Sequence, residues 1–215
     1  MDLLIFDLDG TLIDSKLDLA HAVNATRAHM GLTALEHELI FSYVGNGAPV
    51  LIRRALGPDA SEADVARALE FFLAYYRDHM LDYTVLYPTV RETIEKLDDG
   101  RRKLAVLTNK PTRISNAILD GLGIGKHFFR IYGGNSFEQK KPHPIGIERL
   151  LEESGAEKKQ AMMVGDSAVD IRTARNAGIA ACGVTYGFQP ETLALDPPDF
   201  VIDRMDKILN ALQLS

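Results

Sequence analysis

The sequence predicts an α/β protein with a doubly wound parallel sheet, interrupted near its start by an all-helical insert. Three observations lead there. Short apolar runs at Leu3–Leu8, Leu104–Thr108, Arg130–Tyr132, Ala161–Val164, Ala180–Val184 and Phe200–Ile202 are mostly continuous rather than alternating, as strands buried on both faces require. Helical patterns separate the later runs, the rhythm of parallel crossovers. From about Ser15 to Tyr83 that rhythm stops and only helical patterns remain. The expected division is a core of residues 1–14 and 84–215 and a helical lid of residues 15–83, with Thr84–Pro88 as the return hinge.

Each element has its own local signals. Ser15 and Asp18 resemble a capping pair, opening a helix with Leu19, Val23 and Met30 on one side. Ser61 and Asp64 do the same for a longer helix, whose Val65, Leu69, Phe72, Tyr76 and Met80 recur at spacings of three and four. That stripe reads as bundle core rather than a ligand site. Pro111 suits a first helical turn, Ile114, Ile118 and Leu122 share a face, and Gly123 is a stop. Ile147, Leu150 and Leu151 behave similarly before Gly155.

Composition narrows the functional classes. A net charge of −6 disfavours a nucleic-acid partner, since no basic stripe is available to displace counterions. No apolar run is long enough to span a bilayer, and Asp2 and Asp7 bracket only four apolar residues where a secretory signal would need more. The single cysteine, Cys182, has no internal disulfide partner, and the expected location is cytoplasmic.

Ligands of open parallel sheets bind beyond the carboxyl ends of the strands. Asp7 and Asp9 follow the first run, Thr108 and Asn109 lie at the end of the second, and Asp166 follows the fourth; Lys141 can reach the same edge through a short loop. Paired acids at the end of a buried strand are costly to desolvate unless a cation or donors compensate them, although Asp9-Gly10 also reads as a simple turn. Gly165 allows close backbone approach beside Asp166, and Asp170 lies one helical turn further, placed to hold Lys141 or a metal's waters. Asp166 or Ser167 alternatively caps the following helix. Prolines at 142 and 144 present Lys141 rigidly, and they make His143 a structural rather than catalytic residue. Together the acids supply the oxygen-rich, incomplete shell that Mg²⁺ prefers.

These motifs in this order resemble the haloacid dehalogenase superfamily of phosphatases: DLDGT at 7–11, LTN at 107–109, KP at 141–142 and GDSAVD at 165–170. The resemblance covers essentially the whole chain and implies a Rossmann-like core with an inserted helical cap. It implies Asp7 as nucleophile, Asp9 as general acid and then base, and Mg²⁺ bound by the side chains of Asp7 and Asp166 and the backbone carbonyl of Asp9. Thr108 and Asn109 would hold phosphate oxygens, Lys141 would balance charge on the nucleophile and phosphoryl group, and Asp170 would support the shell. Asp9 separates this chain from dehalogenases, which lack the second acid because a halide leaves without protonation.

The segment Tyr43–Pro49, with Leu51, Arg53 and Arg54, resembles the cap of phosphoglycolate phosphatases, with Arg54 as the candidate carboxylate clamp. The same segment also reads as an inter-helix turn with solvated arginines. Asn135 departs from relatives, which commonly carry aspartate there. The expected substrate is a small phosphorylated metabolite, 2-phosphoglycolate foremost, with pyrophosphate, a nucleotide or a sugar phosphate as alternatives. A sugar-phosphate mutase, or a phospho-acceptor switch that binds rather than turns over, would use much of the same residue set.

Overall fold

The protein is represented by a computed structural model that describes residues 1–212. In chain order it runs β1 (Leu3–Phe6), β2 (Ile13–Asp14), α1 (Lys16–His29), α2 (His37–Phe41), α3 (Ala48–Leu56), α4 (Glu62–His79), β3 (Val85–Leu86) and α5 (Val90–Leu97). It continues with β4 (Lys103–Leu107), α6 (Thr112–Gly121), β5 (Arg130–Tyr132), α7 (Ile145–Ser154), β6 (Ala161–Gly165), α8 (Ala168–Ala177), β7 (Ala180–Val184), β8 (Phe200–Ile202) and α9 (Ile208–Ala211). The described chain divides into two compact units, Ser15–Val85 and the remainder.

In the larger unit, six strands form a parallel sheet in the order β5-β4-β1-β6-β7-β8. This is the Rossmann-like α/β sheet that the apolar runs predict. β1 is central, with all four residues fully buried, which explains why its sequence does not alternate. Leu3 and Ile5 share a cluster with Ala105, Leu107, Ala161 and Met163 of the neighbouring strands and with Ile147, Leu150, Ile171 and Ala174 of α7 and α8. From β1 the chain moves outward through β4 to β5, then crosses to β6 on the other side of β1. The winding therefore reverses between β1 and β6, and a ligand crevice opens beyond their carboxyl ends. β2 and β3 form a separate two-stranded ribbon; at two residues each they are too short to show in a pattern.

The smaller unit is helical. Ser61 caps α4 by accepting from the Asp64 N–H, and the helix buries Val65, Ala68, Phe72 and Tyr76. Leu69 is only half-buried, so Ala68 rather than Leu69 marks the centre of the stripe. The expected Ser15–Asp18 cap does not form. Buried Asp18 instead accepts hydrogen bonds from the N–H groups of Tyr83 and Thr84 and from the Thr84 hydroxyl. Three groups from the unit's far end outcompete one local hydroxyl, and they tie the first turn of α1 to residues 83–84. At α6, Pro111 is the N-cap rather than the first helical residue, and Gly123 follows the helix in the left-handed region.

Candidate active site

Three strand ends and one loop meet at the winding reversal. Asp7 is the first residue beyond β1, and its N–H donates to the Val164 carbonyl of β6 at 2.9 Å, so the backbone that carries it remains in the ladder. Asp166 is the first residue beyond β6, and Thr108 the first beyond β4, with its N–H donating to the Tyr132 carbonyl. Lys141 arrives from the loop after β5 and is buried. Its Nζ lies 2.8 Å from Asp7 Oδ1 and 2.6 Å from Asp170 Oδ1. The Asn109 side-chain amide donates to the Lys141 carbonyl at 3.1 Å, which locks that loop against the end of β4.

Both expectations for the segment after β6 hold at once. Ser167 caps α8, with Asp170 as its capping-box partner: the Ser167 N–H and hydroxyl donate to Asp170 Oδ2 at 3.2 and 2.8 Å. The other oxygen of Asp170 takes Lys141. A Cβ on Gly165 would lie 2.2 Å from Asp170 Cγ, so a bare backbone is required there. Asp166 does not cap the helix. Its Oδ2 accepts from the N–H groups of Phe188 and Gln189 at 2.6 and 3.2 Å. That loop follows β7 and is fastened by the Tyr186 hydroxyl, which donates to the Thr11 carbonyl.

Carboxylate oxygens of Asp7, Asp166 and Asp170 lie within 4.8 Å of one another. Burial pushes the Asp7 carboxyl up to about 6, with Asp170 adding to the rise and Lys141 opposing it. Burial, reinforced by Asp170 and Asp7, pushes Asp166 up to about 8 against its two N–H donors. Burial works against the charge of Lys141, but the two carboxylates beside it outweigh that and hold it above the ordinary lysine value. One ammonium thus lies among three acids and pairs with two of them, Asp7 and Asp170. Such excess negative charge, made entirely of oxygen donors, suits a hard divalent cation.

The structure thus brings Asp7, Asp9, Thr108, Asn109, Lys141, Asp166 and Asp170 to strand ends and loops of one unit. Arg54 lies in α3 of the other unit, exposed, with its guanidinium donating to the Tyr43 carbonyl at 3.3 Å. Its neighbour Arg53 pairs with Glu62. His143 accepts from the Ile145 N–H at the start of α7, a structural role. Asn135 accepts from the N–H and hydroxyl of Thr112 at the start of α6, a task that its amide oxygen performs as a carboxylate would.

Two features escaped the sequence reading. Lys110 is buried, and its Nζ lies 2.9 and 3.1 Å from the two oxygens of Asp9. Its place directly after Asn109 at a strand end was the available signal. The loop that holds Asp166 acts through backbone N–H groups, which no side-chain pattern reveals; Gly187 was the one trace. A Cβ there would lie 2.2 Å from Asp166 Cβ and 2.5 Å from the Gly10 carbonyl oxygen.

Residues 4–184 match the family model for haloacid dehalogenase-like hydrolases. A phosphoglycolate phosphatase from Vibrio parahaemolyticus is 40% identical over 220 residues, covering 99% of this chain and 96% of the relative. One from Haemophilus influenzae is 40% identical over 215 residues, covering 96% of each. The solved structure of a predicted phosphoglycolate phosphatase from Haemophilus somnus superposes with a TM-score of 0.93 at 36% identity, covering 99% of this chain and 98% of that one.

Proposed function

This chain belongs to the haloacid dehalogenase-like hydrolase family, and from that membership and the geometry above we propose a Mg²⁺-dependent phosphatase of small phosphate monoesters, with 2-phosphoglycolate as its substrate. The supporting observation is Lys141 bridging Asp7 and Asp170 beside Asp166, at the point where the sheet reverses its winding. The substrate is supported by the printed activity of the two relatives at 40% identity.

In this reading a carboxylate oxygen of Asp7 attacks phosphorus, the new O–P bond forms as the ester P–O bond breaks, and Asp9 gives its proton to the departing alkoxide. Asp9 then takes a proton from water, whose oxygen attacks the aspartyl-phosphate, releasing inorganic phosphate and restoring Asp7. Lys141 keeps the nucleophile oriented and shares the charge of the phosphoryl oxygens, while Thr108 and Asn109 hold those oxygens in place. Asp7 and Asp166 would hold Mg²⁺ with the Asp9 carbonyl, and the ion supplies charge neutralisation when bound. Asp170 acts through Lys141 and as the capping-box partner of Ser167 at the start of α8. The helical unit around residues 15–83 serves as the lid, and Arg54 is the lid residue with chemistry suited to a carboxylate.

The test is phosphate release from 2-phosphoglycolate with Mg²⁺, by wild type and Asp7→Asn. Wild type is expected to turn over, and the variant to keep its circular dichroism spectrum while releasing no phosphate. Near-normal release by the folded variant overturns the nucleophile assignment. An isomerised ester, or one stable phosphoryl group per chain, overturns the phosphatase.

A further inference from the structure

We infer that Lys110 is a specificity-determining residue, a buried ammonium that receives the carboxylate on the leaving-group side of the substrate and in doing so releases Asp9. The inference rests on the reading above, in which Asp9 faces the leaving oxygen. It adds a residue that the proposed chemistry leaves without a task.

Lys110 is not an ordinary surface lysine. It is 7% exposed, and its side chain meets Asp9, which is itself largely enclosed. The backbone beneath it is fixed on both sides. Its N–H donates to the Thr108 hydroxyl at 3.3 Å, and its carbonyl accepts from the Gly134 N–H at 2.9 Å. A Cβ on Gly133 would stand 2.5 Å from that carbonyl oxygen, so the neighbouring strand end can approach only because it is bare. The ammonium is therefore aimed by a rigid strand end rather than by a free chain.

A buried cation needs an anion beside it at every stage, because leaving it alone costs at least as much as the pairing contributes. In the substrate-free protein Asp9 fills that role, with both oxygens within hydrogen-bond distance of Nζ. During turnover, however, Asp9 must turn an oxygen to the leaving group. The cation next to Asp9 then lies two hydrogen bonds from the leaving oxygen, with the Asp9 carboxyl between them. In 2-phosphoglycolate a single methylene separates that oxygen from the carboxylate. A carboxylate so placed can take the ammonium as Asp9 lets it go, and the buried charge stays paired throughout. An alkyl phosphate without the carboxylate offers no replacement and leaves Lys110 on Asp9.

Lys141 is not available for this task, because it is held by Asp7 and Asp170. A charge-assisted contact of this kind corresponds to a preference of about 10- to 100-fold.

Binding can be separated from chemistry with two phosphonates, titrated calorimetrically into the full chain with Mg²⁺. 3-Phosphonopropionate carries a methylene in place of the bridging oxygen and cannot be hydrolysed; propylphosphonate has the same shape with a methyl group for the carboxylate. Wild type should prefer the first, and Lys110→Met should reduce that preference by about 10- to 100-fold. The ratio of kcat/KM for 2-phosphoglycolate over ethyl phosphate should fall similarly, while Lys110→Arg should keep part of both preferences. Equal loss on the paired ligands, or a preference retained by folded Lys110→Met, overturns the inference. So does loss of the preference in Arg54→Ala with retention in Lys110→Met. Should Lys110→Met not fold, a crystal structure of wild type with 3-phosphonopropionate decides: a carboxylate oxygen on Lys110 Nζ supports the assignment, and any other placement refutes it. A wild type that releases phosphate but has no preference for the carboxylate overturns both the substrate reading and the role of Lys110. A wild-type preference that survives the loss of Lys110 overturns the latter alone.

Discussion

Lowering pH from 8 to 6 should weaken Mg²⁺ binding by about 100-fold, and the reason lies in the buried acids. Asp166 is pushed up to about 8 and Asp7 to about 6, both chiefly by burial, so the metal-free site holds protons that a cation must displace. Between pH 8 and 6 essentially one proton, that of Asp166, must leave on binding, and affinity falls about tenfold per pH unit. Below 6 a second proton, from Asp7, steepens the fall. The change from pH 8 to 6 is about 2.7 kcal/mol, at 1.36 kcal/mol per decade. The same shifts fix the sign for folding of the metal-free chain. Both carboxyls bind protons more tightly folded than unfolded, so this contribution is fully present below the ordinary aspartate value. It is lost as pH rises through about 6 and then about 8. Mg²⁺ should therefore raise the unfolding temperature more at pH 8 than at pH 6. Calorimetric titration of chelator-treated protein, in buffers of different ionisation enthalpy, counts the released protons directly. An Mg²⁺ affinity that is flat between pH 6 and 8, with no proton released, would refute the placement of the cation on these two carboxylates.

The remaining expectations concern single residues. Asp9→Asn should lose far more rate on esters with poor leaving groups than on activated aryl esters, because protonation of the leaving oxygen matters less when that oxygen departs readily. Equal losses across a leaving-group series would remove Asp9 from the acid role. Gly10→Ala should destabilise the fold by at least about 1–2 kcal/mol, since Gly10 has φ +83° and an added Cβ would stand 2.3 Å from Asp166 Oδ2. It should also weaken Mg²⁺ binding, and thermal unfolding with a metal titration measures both; unchanged values would mean that the bare backbone is not required.

What was legible in the sequence is what depends on local pattern alone. The run Leu3–Leu8 could be read because a strand buried on both faces stays apolar, but the strand itself ends at Phe6, two residues early, which puts Asp7 just beyond its carboxyl end. Counting places Thr108 beyond β4 and Asp166 beyond β6, and the parallel sheet brings those ends to one side. Asp18 shows where this kind of reading stops. Ser-x-x-Asp at the start of a helix is a local signal, and at Ser61 and Asp64 it describes the structure. At Ser15 and Asp18 the same spacing loses to donors 65 and 66 residues away.

Lys110 fails for a related but different reason. Its backbone position was readable from the end of β4, but a lysine side chain is long enough to end in solvent or beside any of several acids. Burial decides between these, since an enclosed ammonium must find a carboxylate and Asp9 lies within reach. The choice follows from desolvation rather than from spacing. The Asp166 clamp is further still from the sequence, because Phe188 and Gln189 contribute only their N–H groups and any residue but proline could stand there. The constraint passes instead to Gly187, whose missing side chain makes room for Asp166 and for the Gly10 carbonyl together. An alanine at 187 would thus strike the Asp166 side chain and the Gly10 carbonyl at once, so the constraint at the end of β7 is a close backbone approach rather than a motif.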